Sequence, residues 1–334
     1  MLGIDVGHKV TPQMAVKIAF AGQMAPSFEA AEQSFEYLAG LQISRSLIRQ
    51  ITEETGQKVY EQQMEKAEKA IAMPEEIVPS LLPHELRAGT LYVMVDGSQV
   101  NTRVKDQEGS SWKEMKLGLI YSDKNIITRK SGQTVLTDKE YVAYWGDVSG
   151  FKKLLFEAAV TKGYGTYKRV VVIGDGAHWI WKMYEELFPD AVQVLDYYHM
   201  CENVYGYSKY LYPSDDQKMK VWAESVIAHI EDGEIDKALA SIPVAGEAKL
   251  PTGVPNLFVY LTNNRNRMNY KAFQQMGLKV GSGAIESGNK KVIQQRMKQS
   301  GMRWGVQTGQ TIASLRAKNA SGRWCDVERI LNVA

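Results

Sequence analysis

The spacing of apolar positions changes character twice along the chain. Up to about residue 72 they recur at helical spacing, from Leu91 they run in short consecutive blocks, and beyond His199 the helical spacing returns until about Met276. This pattern predicts helices over residues 11–24, Phe28–Leu38 and Ser44 to about Ala72, with Ser27 as an N-cap, Gly40 breaking the pattern and Ser44 restarting it. Pro74, Pro79 and Pro83 mark an irregular linker. Strands are predicted at Leu91–Val95, Glu114–Tyr121, Asn125–Leu136, Arg169–Ile173 and Ala191–Leu195. A helical region is predicted from about Asp138 to Thr161 and a helix from about Ala177 to Leu187. The β-β-β-α-β-α-β order reads as an α/β domain on a mixed sheet, in which the first and fourth strands can be parallel neighbours. Residues 200–280, broken by Pro243, Pro251 and Pro255, read as an all-helical insertion. A last helix follows Gly281-Ser282-Gly283 and carries Ile285, Val292, Ile293 and Met297 as its apolar stripe.

Polar residues punctuate the strands in a repeated way. Val95-Asp96-Gly97 and Ile173-Gly174-Asp175-Gly176 both place an aspartate and a glycine behind an apolar run. In open α/β sheets, ligands sit beyond the carboxyl ends of strands, where glycine lets the backbone approach closely. Taken alone, Asp175 reads first as a cap for the following helix and only second as a ligand-binding residue.

Length and composition set the outer limits. The 334 residues suffice for two or three domains with a real core, and the 44% hydrophobic content is ordinary for a globular chain. No apolar run is long enough to span a membrane and no signal-peptide core opens the chain, from which an intracellular, cytoplasmic protein is expected. Cys201 and Cys325 support neither a disulfide framework nor a four-cysteine zinc site, and His199 with Cys201 supplies too few ligands for one. Neither a phosphate loop nor a dinucleotide fingerprint is present.

Charge changes the picture more. The net charge is only +2, yet Leu261–Cys325 holds twelve Lys or Arg and a single acid, Glu286, leaving 28 basic and 37 acidic residues elsewhere. Such a concentration is the footprint of a polyanion partner, although a solvated helix face produces similar runs. Glu286 falls in the first turn of the last predicted helix, ahead of Lys290 and Lys291. Two aspartates and a glutamate form a hard-oxygen set suited to Mg²⁺ or Mn²⁺, and two such ions can serve phosphoryl transfer. Near the N-terminus, Arg45, Arg49 and Gln50 would be displayed on the second helix of a helix-turn-helix, a weak signal that any helical hairpin satisfies. Trp222, in the insertion, reads first as a packing residue and second as a stacking platform for an unpaired base.

Five segments in order carry a resemblance. They are Val95-Asp96-Gly97, Ile173-Gly174-Asp175-Gly176-Ala177-x-Trp179, Asp196-Tyr197-Tyr198-His199, Gly281-Ser282-Gly283-x-Ile285-Glu286 and Gly301-Met302-Arg303-Trp304. Together they resemble the bacterial DDE-type insertion-sequence transposases of the Kra-type group, related to the Mutator-like transposases. The resemblance implies an RNase H-like core interrupted by a helical insertion, with a helix-turn-helix-like region (1–73), a linker (74–90), a first core part (91–199), the insertion (200–280) and a core completion with basic helices (281–334). It implies that Asp96, Asp175 and Glu286 bind Mg²⁺ or Mn²⁺ and cut and join DNA ends. Asp196 and His199 would then either support that site or simply tie the fifth strand to its helix. Double-stranded DNA would be held by Arg45, Arg49, Lys290, Lys291, Arg296, Lys298 and Arg303, with a homodimer or larger assembly on DNA in a bacterial, nucleoid-associated setting. The chain opens at Met1–His8 without the Cys-containing ribbon usual in that group, which suggests a truncated copy or one half of a split reading frame. Two other readings follow from the same residues: an RNase H-like nuclease that cuts without joining, and a truncated or inactive relative that only binds DNA.

Overall fold

The computed structural model describes residues 10–105, 107–243 and 250–332; the Met1–His8 opening, on which the expected truncation rests, lies outside them. Contacts divide the chain into two units, Met1–Val170 with Ala284–Ala334, and Val171–Gly283. Neither division falls in the proline-containing stretch 74–90, because the long third helix packs into the first unit instead of linking two domains.

In the first unit, α1 (Pro12–Met24), α2 (Phe28–Ala39) and α3 (Arg45–Ala72) start where capping chemistry places them. Ser27 Oγ accepts from Ala30 N at 3.0 Å and Ser44 Oγ from Leu47 N at 3.3 Å, satisfying amides that a helix start leaves open. Ile18, Ala31, Ile48 and Ile51 interlock the three helices. Farther along α3, Val59 packs with Leu315 of α14 (Val306–Ala320) and Val327 of α15 (Trp324–Ile330). A short α4 (Pro74–Ile77) follows, and Arg45, Arg49 and Gln50 stay exposed.

The strands of this unit are β1 (Arg87–Asn101), β2 (Trp112–Ser122) and β5 (Lys139–Tyr144), joined as antiparallel neighbours. Two strand expectations are corrected. First, residues 125–136 form no core strand; they make a small separate hairpin of β3 (Ile126–Thr128) and β4 (Thr134–Leu136). The third strand of the main sheet is β5, inside the stretch predicted as helix, with α5 (Val148–Thr161) only behind it. Second, β1 does not end at Asp96, because its pairing with β2 continues to Asn101 opposite Trp112. The free edge of β5 is covered by side chains of α14 and the residue after it. Gln310 accepts from Trp145 N and donates to Ala143 O, and Ser321 Oγ accepts from Tyr141 N.

The second unit contains the buried end of β6 (Tyr167–Gly174), α6 (His178–Leu187), β7 (Val192–Leu195), and the helices α7 (Tyr197–Leu211), α8 (Asp216–Glu231), α9 (Ile235–Ala240), α10 (Leu257–Asn263) and α11 (Tyr270–Gln275). β6 and β7 run parallel, as two adjacent apolar runs joined through a helix require. Trp222 packs at a tilt on Tyr207 and donates its indole N–H to Ser241 O, which fits its packing reading. The main sheet is mixed, with strand order β5-β2-β1-β6-β7. No helix among the described residues is long and apolar enough to cross a membrane.

Candidate functional site

Within the first unit, one side-chain bond ties Asp96 to the helix that carries Glu286. Asp96 lies in β1, half-buried, and its Oδ1 accepts from Gly97 N at 2.7 Å. Its Oδ2 accepts from the side-chain amide of Asn289, the last residue of α12 (Gly283–Asn289). Glu286 stands three residues before Asn289, so both lie on the same helix face and the Asn289 bond sets the Glu286 turn on the Asp96 side. Gly288 makes this approach possible: a Cβ there would lie 2.4 Å from the Tyr141 ring of β5. Asn289 was not legible as a site residue. Its one signal is its position a helical turn after Glu286.

A five-residue π-helical segment, Lys290–Gln294, follows and leads into α13 (Gln295–Met297). Arg316 of α14 is buried and ties down this segment, donating to the carbonyls of Lys291, Val292 and, in α1, Gln23. Lys290, Lys291, Lys298 and Arg303 are exposed and form no ion pair among the described residues. Burial first, and then the neighbouring Lys291, hold Lys139 below the ordinary lysine pKa. Arg296 is a correction. Only 2% exposed, its guanidinium lies over the Phe28 ring (4.9 Å) and the Trp304 ring (5.0 Å), because apolar surface on both sides of a weakly hydrated planar cation favours stacking over display. Other members of the basic run also have structural partners: Arg265 with Asp236, Lys271 with Asp232, and Lys318 with Glu140.

The second unit holds Asp175, Asp196 and His199. Asp175 follows β6, and its Oδ1 accepts from Ala177 N at 2.8 Å, one residue before α6 begins. The bond organises the turn ahead of the helix and does not reach the helix's own first amides. Gly176 has φ +104°, and a Cβ there would lie 2.5 Å from the Tyr260 ring. That ring closes over the turn and its hydroxyl donates to Asp175 O at 2.8 Å. Burial, then the charges of Asp175 and Asp196, push the Tyr260 hydroxyl pKa upward. Asp196 follows β7, is 1% exposed, and accepts from Ser282 N (2.6 Å), His199 N (3.1 Å) and His199 Nδ1. The aspartate therefore caps α7, fixes the His199 ring and anchors the Gly281-Ser282-Gly283 segment.

A divalent cation suits part of this chemistry. Among the described residues no group of three or more His, Cys, Asp or Glu stands ready to hold a metal ion. Mg²⁺, however, binds through one or two carboxylates, completed by water and substrate phosphate. Beside Asp96, the buried Asn289 Oδ1 has no hydrogen-bond partner, the kind of orphaned acceptor that a hydrated cation's water satisfies. The donor set in the first unit thus fits a hard cation.

Comparison with known proteins adds a family but no activity. A search of curated proteins gives no match. Among solved structures, the chain is similar to one described as the Drosophila P element transposase strand transfer complex, with 9% identity, a TM-score of 0.43 and coverage of 93% of this chain and 92% of that one. The model of the uncharacterised protein family UPF0236 matches residues 1–329, and the chain that carries the Asp96–Asn289 pair and the Asp196–His199 pair belongs to that family.

Proposed function

We propose that this protein is a transposase-like DNA strand-cleaving and strand-joining enzyme with an RNase H-like core, using Asp96, Glu286 and Asp175 as metal-binding carboxylates. The observation that carries the reading is the Asn289 bond to Asp96, which brings the Glu286 turn of α12 beside an acid of the central strand β1. Asp175 is assigned to the same chemistry by the sequence resemblance. The strand order supports the core assignment, since the first and fourth strands of the main sheet are adjacent in it.

A bound Mg²⁺ or Mn²⁺ would supply Lewis-acid stabilisation of the attacking and leaving oxygens. Asn289 orients Asp96, and Gly288 holds α12 close enough for that bond. The unpaired Lys290, Lys291, Lys298 and Arg303 attract the phosphate backbone, giving an affinity that falls steeply with salt. Asp196 holds His199 and the segment preceding α12.

The test is metal-dependent nicking of a plasmid that carries the DNA flanking the protein's own reading frame, followed by a strand-transfer assay on paired ends. Nicking in Mn²⁺ that disappears in Asp96→Asn, Asp175→Asn and Glu286→Gln is the expected result. Activity surviving all three substitutions sinks the carboxylate assignment. DNA binding without any nicking by the wild type favours the inactive, DNA-binding reading.

A further inference from the structure

The Gly301-Met302-Arg303-Trp304 segment returns to β1 and extends it. Trp304 N donates to Asn101 O at 3.0 Å, Arg103 N donates to Trp304 O at 2.9 Å, and Thr102 bridges Trp304 in parallel. This short ladder sets Arg103 and Arg303 on adjacent backbone segments, both exposed. Neither side chain has an ion pair or hydrogen bond among the described residues. Between them and the start of α2 lies a cavity of about 190 Å³, whose walls include Phe28, Arg49, Arg103, Arg296, Arg303 and Trp304. The only acid in the wall, Glu53, is occupied by Arg49 at 2.7 Å.

Arg296 makes this a built site. Its guanidinium is held between Phe28 and Trp304, donates Nη1–H to Met302 Sδ at 3.9 Å, and has no carboxylate partner among the described residues. An unpaired buried cation is costly, and an anion in the cavity offsets that cost directly. The planar forks of neighbouring arginines match the oxygen geometry of a phosphate. The cavity has room for about six waters at roughly 30 Å³ each, enough for a phosphodiester group but not for a whole nucleotide.

We infer that this cavity is a phosphate-binding pocket for the backbone of DNA, with Arg103 and Arg303 as its rim and Arg296 as its floor. The inference rests on the DNA-binding part of the proposed function and not on the carboxylates. By joining α2 and α3 to the end of β1, the pocket reads the backbone at the meeting point of the N-terminal helices and the strand that carries Asp96. Arg103, outside the basic C-terminal run, is a DNA contact that charge counting misses.

Binding of a short fluorescent duplex, measured by anisotropy in EDTA so that cleavage plays no part, tests this. The double variant Arg103→Ala/Arg303→Ala should bind about tenfold or more weakly at moderate salt, and the slope of log K against log salt should shallow by about 2. Both residues are exposed, and an unchanged melting temperature confirms that the variant folds. Unchanged affinity and slope overturn the inference. So does displacement of the duplex by millimolar inorganic phosphate at constant ionic strength, which would mark a pocket for free phosphate. Wild-type protein that binds no duplex also overturns it, while the nicking assay judges the carboxylates separately.

Discussion

Asp96 and Asp196 look alike in sequence, each behind an apolar strand, and the two units treat them in opposite ways. Asp196 is buried and takes three donors from the chain itself: two backbone amides and an imidazole. Asp96 is half-buried, shares one oxygen with its neighbour's amide and the other with a side chain that is itself incompletely satisfied. A saturated carboxylate holds structure, while beside Asp96 the buried Asn289 Oδ1, without a hydrogen-bond partner, marks the place where a ligand's donor is accommodated. Function and architecture are thus divided between residues of one chemical type by what surrounds them.

Substitutions at the two positions should separate most sharply. Asp96→Asn should abolish metal-dependent nicking by about a hundredfold or more, as loss of a metal ligand does, while moving stability by less than about 1 kcal/mol. Asp196→Ala should do the reverse in order of cause. It strands two backbone N–H groups and the His199 ring, which costs about 3 kcal/mol, read as a lowered denaturant midpoint. Equal destabilisation by both changes would erase the distinction. The contrast can be sharpened with glycines. Gly176→Ala forces a side chain into positive φ and onto the Tyr260 ring and should cost about 2 kcal/mol, whereas Gly40→Ala, at φ +65° with open space around it, should cost about 1 kcal/mol. Thermal melts of the pair rank them.

The smallest effect concerns alkaline pH. Burial pushes the Tyr141 hydroxyl in the first unit up to about 12 and raises Tyr121 there and Tyr184 and Tyr270 in the second. The unfolded chain releases these protons near pH 10, so their stabilisation is complete below that value and is lost as pH rises above it. Melting temperature should therefore fall between about pH 10 and 12, with these four hydroxyls ionising only as the chain unfolds. Ionisation of these four hydroxyls, followed by their own ring NMR signals, in a chain that is still folded would show that burial does not hold them.

Much of the local structure was legible. Ser27 and Ser44 announced two helix starts, Gly40 the break between them, and Ile285, Val292, Ile293 and Met297 all became buried as their spacing predicted. What was illegible depended on partners far away in sequence. β5 begins Lys139-Glu140, which reads as a polar helix surface; Glu140 is 3% exposed because Lys318 and Arg323 reach it. Arg296 looked like one more surface cation because neither Phe28 nor Trp304 could be placed on its two faces from the sequence. Of the expected site, Asp96 and Glu286 were legible as acids, but Asn289, the residue that relates them, was not.

The π-helical segment has a consequence for inheritance. In a regular helix each residue turns the chain by about 100°, so the face of Glu286 and Asn289 would dictate where Arg296 points. Widening the coil over Lys290–Gln294 inserts a phase offset between them, which Arg316 secures at two of the freed carbonyls. Deleting a single residue there would leave the Asp96 bond untouched while swinging Arg296 out of its aromatic slot. The two faces of this one rod can therefore drift independently under mutation, so long as the number of residues between them is kept.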